Sequence, residues 1–145
     1  MAQEISLQQA NTIIQNALAK GHESGLAPLT IAVLDAGGHL KALLREDKAT
    51  FLRPQIAFGK AWSSLALGMA SRTLFSIGED RPMFMNSLIN LSEQKMIPVA
   101  GGVLVKDSDG NTLGAVGITG DTSDNDEACA IAGIESVGLV ADCGN

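Results

Sequence analysis

Tyrosine is absent from this chain, tryptophan occurs once, and aromatic residues together make up 3%. A protein that holds nucleic acid by stacking bases needs more rings than that. A formal net charge of -6 also disfavours nucleic acid and anionic membrane surfaces as partners. There are only two cysteines, Cys129 and Cys143, with no CxxC pair and no Cys/His cluster at zinc spacing. That excludes a disulfide framework and a structural zinc site, so no metal site is expected, and it suits a reducing compartment. No apolar run approaches the ~20 residues of a membrane-spanning helix. The start, MAQEISLQQANTIIQ, has neither the basic cluster nor the apolar stretch of a secretion signal. The expectation is a cytoplasmic protein without nucleic-acid or membrane partners. What is present is a 46% hydrophobic, 18% charged chain of 145 residues, enough for one core and one domain spanning 1–145.

Hydrophobic spacing divides the chain into helices and hairpins. Ser6 and Gln9 form a capping box, and Leu7, Ala10, Ile13, Ile14, Ala17 and Leu18 recur at helical spacing until Gly21, Gly25 and Pro28 end the segment. Residues 29–35 form an apolar, β-branched run, Ala36-Gly37-Gly38 turns the chain, and a second strand is expected from His39 to Arg45. Strict alternation would place Leu40, Ala42 and Leu44 on one face of it and His39, Lys41, Leu43 and Arg45 on the other. Residues 51–70 have helical composition, and Asp80-Arg81-Pro82 looks like a helix start with Phe84, Met85, Leu88 and Leu91 as its apolar face. Residues 97–106 and 112–119 read as strands joined by Asp109-Gly110, and a last helix runs from about Asp124 to Val137 behind the caps Thr122 and Ser123. The order helix, hairpin, helices, hairpin, helix is that of an α+β domain with an antiparallel sheet covered by helices. It is not a βαβ nucleotide fold.

Few residues stand out chemically. Asp107-x-Asp109-Gly110-Asn111 superficially resembles a calcium loop, but Thr112 and Ile118 occupy the positions that need glycine and glutamate, so it reads as a hairpin turn. The strings Gly37-Gly38, Gly101-Gly102 and Gly114-x-x-Gly117-x-x-Gly120 fit no phosphate loop; they read as turns or close backbone approaches, although strand glycine can also make room for a ligand. His22 and His39 are the only histidines; each could ligate a metal or a heme iron or act as an acid or base, and each is weighed against a solvated surface role. Arg53 and Lys60 lie seven apart on an otherwise apolar helix, a stripe suited to a carboxylate or phosphate, with Thr119 and Asp124 as further candidates near the last helix start. Lys60 is expected at a pocket, with Gly101 and Gly102 close by, its charge met by a bound anion, by a nearby carboxylate or by an acid of a neighbouring subunit. Met69, Met83, Met85 and Met96 read as core filler.

Four segments also resemble, in order, the motifs of the GlcG/HbpS family: IAVLDAGGHL at 31–40, IAFGKA at 56–61, IPVAGGV at 97–103 and GAVGITGDTSDNDEACAIAGI at 114–134. Leu104 stands where the family pattern has proline after the paired glycines. The resemblance implies a profilin-like α-β-α fold, assembly into homo-oligomers and, in some relatives, heme binding. It leaves three functional readings. One is an accessory protein of glycerol, diol or glycolate use that binds heme, another tetrapyrrole or a small carboxylate. The second is a catabolic enzyme acting on a small carboxylate or aldehyde, with Lys60 as base or nucleophile. The third is an oligomeric assembly protein without a small ligand.

Overall fold

The computed structural model describes residues 4–144. Helix α1 (Leu7–Glu23) is followed by strands β1 (Thr30–Asp35) and β2 (Leu40–Arg45), helices α2 (Arg53–Leu67), α3 (Ser71–Asp80) and α4 (Pro82–Leu91), strands β3 (Gly102–Lys106) and β4 (Thr112–Thr119), helix α5 (Ser123–Ser136) and strand β5 (Val140–Asp142). The five strands form one antiparallel sheet in the order β2-β1-β4-β3-β5.

Strand alternation sorts the core into two faces. Ile31, Val33, Val103, Val105, Val116 and Ile118 point to α1 and α5, where Ile13, Ala17, Ala130 and Ile134 meet them. Each large aliphatic side chain buried there contributes about 1.5–3 kcal/mol. Leu34, Leu104 and Ala115 point the other way, onto Ala61 and Phe58 of α2. The α1 capping box forms as the sequence requires, with Ser6 and Gln9 bonding each other's backbone N–H at 3.0 Å. Thr122 caps α5 through the Asn125 N–H.

Three expectations change, and one strand is added. Strand β3 starts at Gly102 rather than Ile97, because the Ile97 N–H donates to Ser63 Oγ at 2.8 Å and Gly101 has a φ of 125°, which breaks the extended path. Strand β2 starts one residue after His39, and a register shift opposite Val33/Leu34 takes Leu40 out of phase with Ala42 and Leu44. Leu40 therefore shares the side of Leu43, and the two line one groove. Residues 71–91 form two short helices, but the expected apolar face of α4 buries only Met85; Phe84 is 42% and Leu91 81% exposed. Strand β5, three residues long and therefore without a readable period, is held by its ladder to β3 and by Lys106 Nζ, 2.7 Å from Asp142 Oδ2.

Candidate functional site

Two places collect the residues that the sequence singles out. The first is where α2 crosses the sheet. Glycines make the crossing close: a Cβ on Gly117 would stand 2.0 Å from the Ala57 carbonyl oxygen, and one on Gly102 would stand 2.2 Å from that of Lys60. The room at Gly102 is thus taken by helix backbone, and that at Gly101 by the Lys60 ammonium and the Ile118 carbonyl. Both glycines serve the approach of α2 to the sheet.

Arg53 and Lys60 do share a face of α2 and reach the C-terminal end of β4. Arg53 Nη1 donates to Thr119 Oγ1 at 2.7 Å. Lys60 Nζ donates to the Ile118 carbonyl at 2.9 Å and to Asp126 Oδ2 at 3.3 Å. The Lys60 and Asp126 side chains are 3% and 2% exposed. Asp126 Oδ1 accepts the Asp121 N–H at 3.0 Å. Burial pushes the Lys60 pKa down and the Asp126 pKa up; their mutual attraction opposes both shifts, and Arg53 adds to the first. Of the partners expected for this charge, the chain itself supplies the nearby carboxylate, from α5 on the opposite side of the sheet. Beside this pair, Arg72 Nε donates to both Glu127 carboxylate oxygens, at 3.2 and 3.0 Å, and its Nη2 donates to Asp124. Thr30, the register partner of Thr119, has a buried hydroxyl with no hydrogen-bond partner among the described residues.

Spacing cannot show this network. Asp126 looks like one of several acids in a first helical turn, and Arg72 lies far from it in sequence. The one signal that marks the acids is the DEACA string inside the last family-like segment.

The second place is a groove of about 520 Å³ at the end of α1. Leu18, Leu26, Pro28 and Leu44 supply apolar wall, and His22, Arg45, Glu46 and Asp47 its polar groups. His22 is on the last turn of α1. Its Nε2 is 2.7 Å from Glu46 Oε2, while Glu46 Oε1 accepts the Leu29 N–H at 2.8 Å. A carboxylate can only accept, so in the neutral ring Nε2 carries the proton and Nδ1 keeps its lone pair. Arg45 Nη1 donates to the Ala49 carbonyl at 2.6 Å. His39 is elsewhere, 81% exposed beside Asp35 at the β1–β2 turn. The hairpin acids are also occupied: Asp107 accepts the N–H groups of Asp109 and Asn111 and the Asn111 amide, so its oxygens close the turn.

A five-stranded antiparallel sheet between α1 and α5 on one face and α2 on the other, with glycines at the helix crossing and a buried Lys–Asp tie around the sheet's end, defines a profilin-like α+β domain. The chain belongs to the family described as haem degrading protein HbpS-like, which matches residues 5–135. It is 27% identical over 126 residues, 87% of each chain, to an uncharacterized 15.0 kDa protein in the dhaT–dhaS intergenic region of Citrobacter freundii. The crystal structure of Klebsiella pneumoniae protein ORFY superimposes with a TM-score of 0.86 at 25% identity, covering 95% of this chain and 93% of that one. That of a PduOC:heme complex superimposes with a TM-score of 0.85 at 21% identity, covering 96% and 99%.

Proposed function

We propose that this protein binds heme, or a related tetrapyrrole, as an accessory factor in the catabolism of a small diol or triol, and that it works as a homo-oligomer. The observation that carries this reading is the groove at His22, where an imidazole with a carboxylate partner opens onto an apolar wall. The donor set fits the group. A histidine whose second ring nitrogen is held by a carboxylate is the usual form of a metal-ligating imidazole, its tautomer and ring orientation fixed by its partner. In this reading His22 ligates the iron, Leu18, Leu26, Pro28 and Leu44 cover the macrocycle, and Arg45 serves its carboxylates. Bound heme would supply redox-active iron; the chain's own contribution is to hold it and to shield one side of it from water. Support comes from the family description, from the heme complex of a protein sharing this fold, and from the relative located between dhaT and dhaS. His39 finds no such wall, and the deeply buried, paired Lys60 is less accessible than an enzyme's base or nucleophile needs to be.

Hemin titration tests the reading. The expected result is a saturable Soret shift at one heme per chain that His22→Ala removes and His39→Ala leaves intact. A shift unchanged in His22→Ala, or none in the unaltered protein, would overturn it.

A further inference from the structure

A second groove among the described residues lies away from His22. It encloses about 570 Å³ between β2, the start of α2 and the segment after α4, and Leu40, Leu43, Leu52, Ile56, Phe58 and Ile97 form most of its wall. Two departures from regular backbone build it. An unbroken β2 would send Leu40 and Leu43, three residues apart, to opposite faces; the register shift opposite Val33/Leu34 brings both to the groove. On the far side, Glu93 and Gln94 are consecutive non-glycine residues with left-handed backbone, φ 57° and 69°. They close the C-terminus of α4, where the Glu93 N–H donates to the Asn90 carbonyl at 3.1 Å and the Gln94 N–H to the Ile89 carbonyl at 2.9 Å. Here they bring Gln94 and Lys95 to the rim.

The charge of the groove is as particular as its shape. In a chain with 16 acidic and 10 basic residues, its lining has no acid and one cation, Lys95. Lys95 has no carboxylate partner among the described residues; its ammonium lies 5.7 Å from the centre of the Trp62 ring. A groove with apolar walls, a single cation and amides at its edge selects an apolar body carrying one negative charge.

We propose that this groove is a binding site for an apolar monocarboxylate, its hydrocarbon part against Leu40, Leu43 and Phe58 and its carboxylate on the Lys95 ammonium. The site is separate from the His22 groove and does not depend on heme binding. A medium-length aliphatic acid has the right chemistry: the chain leaves water for the wall, and the carboxylate gains a charge-assisted hydrogen bond from Lys95.

Octanoate is the probe, with octylamine and octanol as controls of equal length. Trp62 is the sole tryptophan, so drawing the Lys95 cation away from its ring is read in intrinsic fluorescence and confirmed by calorimetry. The expected result is saturable octanoate binding, much weaker binding of both controls, and a loss of about tenfold in Lys95→Gln, the worth of about 1.4 kcal/mol. Leu43→Glu, at a position 38% exposed, should abolish binding while leaving the thermal melt of the protein in place. Octanoate should bind equally to the His22→Ala variant, which separates this site from the heme reading. The proposal is overturned by absence of saturable binding, by equal binding of octylamine, or by an unchanged affinity in Lys95→Gln. It is equally overturned if octanoate lowers the particle mass in light scattering, because the groove would then be a contact between copies of the chain.

Discussion

Lys60 Nζ of α2 lies 3.3 Å from Asp126 Oδ2 of α5, with the two side chains 3% and 2% exposed. The pair joins the helix layers on opposite faces of the sheet. Removing one partner strands the other as a buried charge, which costs about 3–5 kcal/mol. Lys60→Met and Asp126→Leu should each destabilise the domain by that order in urea unfolding. The double substitution should recover much of the loss, because the cost comes from the unpaired charge and not from the missing attraction. A double variant as unstable as the sum of the singles would show that the pair is needed for its own sake.

The glycines under α2 make a second prediction. A Cβ on Gly117 meets the Ala57 carbonyl oxygen at 2.0 Å and the Ala61 nitrogen at 2.8 Å, both backbone atoms that can yield only if the helix lifts. Gly117→Ala should therefore cost at least about 3 kcal/mol, the upper end of overpacking penalties. Gly110→Ala tests the alternative cause. That glycine has a φ of 85° and nothing within 4 Å of an added Cβ, so only backbone strain remains, about 1–2 kcal/mol. Thermal melts of both variants give the comparison.

Acid should weaken the fold at defined carboxylates. Asp121 is held below the ordinary aspartate value of 3.8, first by the hydrogen bond from the Asn125 side chain, then by the backbone N–H groups of Ala27 and Thr122. Its folded pKa is lowered, so its stabilisation is fully present above 3.8 and is lost as pH falls through the lower, folded value. Asp142, lowered chiefly by its hydrogen bond from Lys106, behaves alike. Urea midpoints measured from pH 6 to pH 3 should fall most steeply at the acid end, and Asp121→Asn should flatten part of that fall. Identical pH profiles for the two proteins would exclude Asp121 as a contributor.

Self-association should be seen in light scattering, with a mass well above the 15.0 kDa of one chain. The reason differs from the sequence-level one. The apolar residues of α2 that exceed one stripe are absorbed by the chain itself, with Ala57, Gly59 and Ala61 buried. It is Phe51, Met83 and Leu91, exposed by 86%, 85% and 81%, that leave apolar surface for another copy. Charged substitutions at Met83 and Leu91 should lower the mass, and a 15.0 kDa particle from the unaltered protein would refute the prediction.

Local rules determined much of this protein before any tertiary contact was considered. Helical spacing and the Ser6–Gln9 box set α1, the Asp107–Asn111 turn set the β3–β4 hairpin, and the run of capping residues Thr122, Ser123 and Asp124 set the start of α5 to within about two residues, because capping, turn closure and side-chain periodicity act locally. The family motifs likewise carried the topology. Tertiary structure decided what depends on approach between distant segments. It set the register shift that turns Leu40 outward, the docking of β5 on β3, and the partner of Lys60. The sequence placed Lys60 beside Arg53 on a helix face, which left an external anion as one way to match its charge. Only folding brought Asp126 around the end of the sheet to 3.3 Å, because which charges meet is settled by the path of the backbone between them, and that path is set by packing the two helix layers on one sheet.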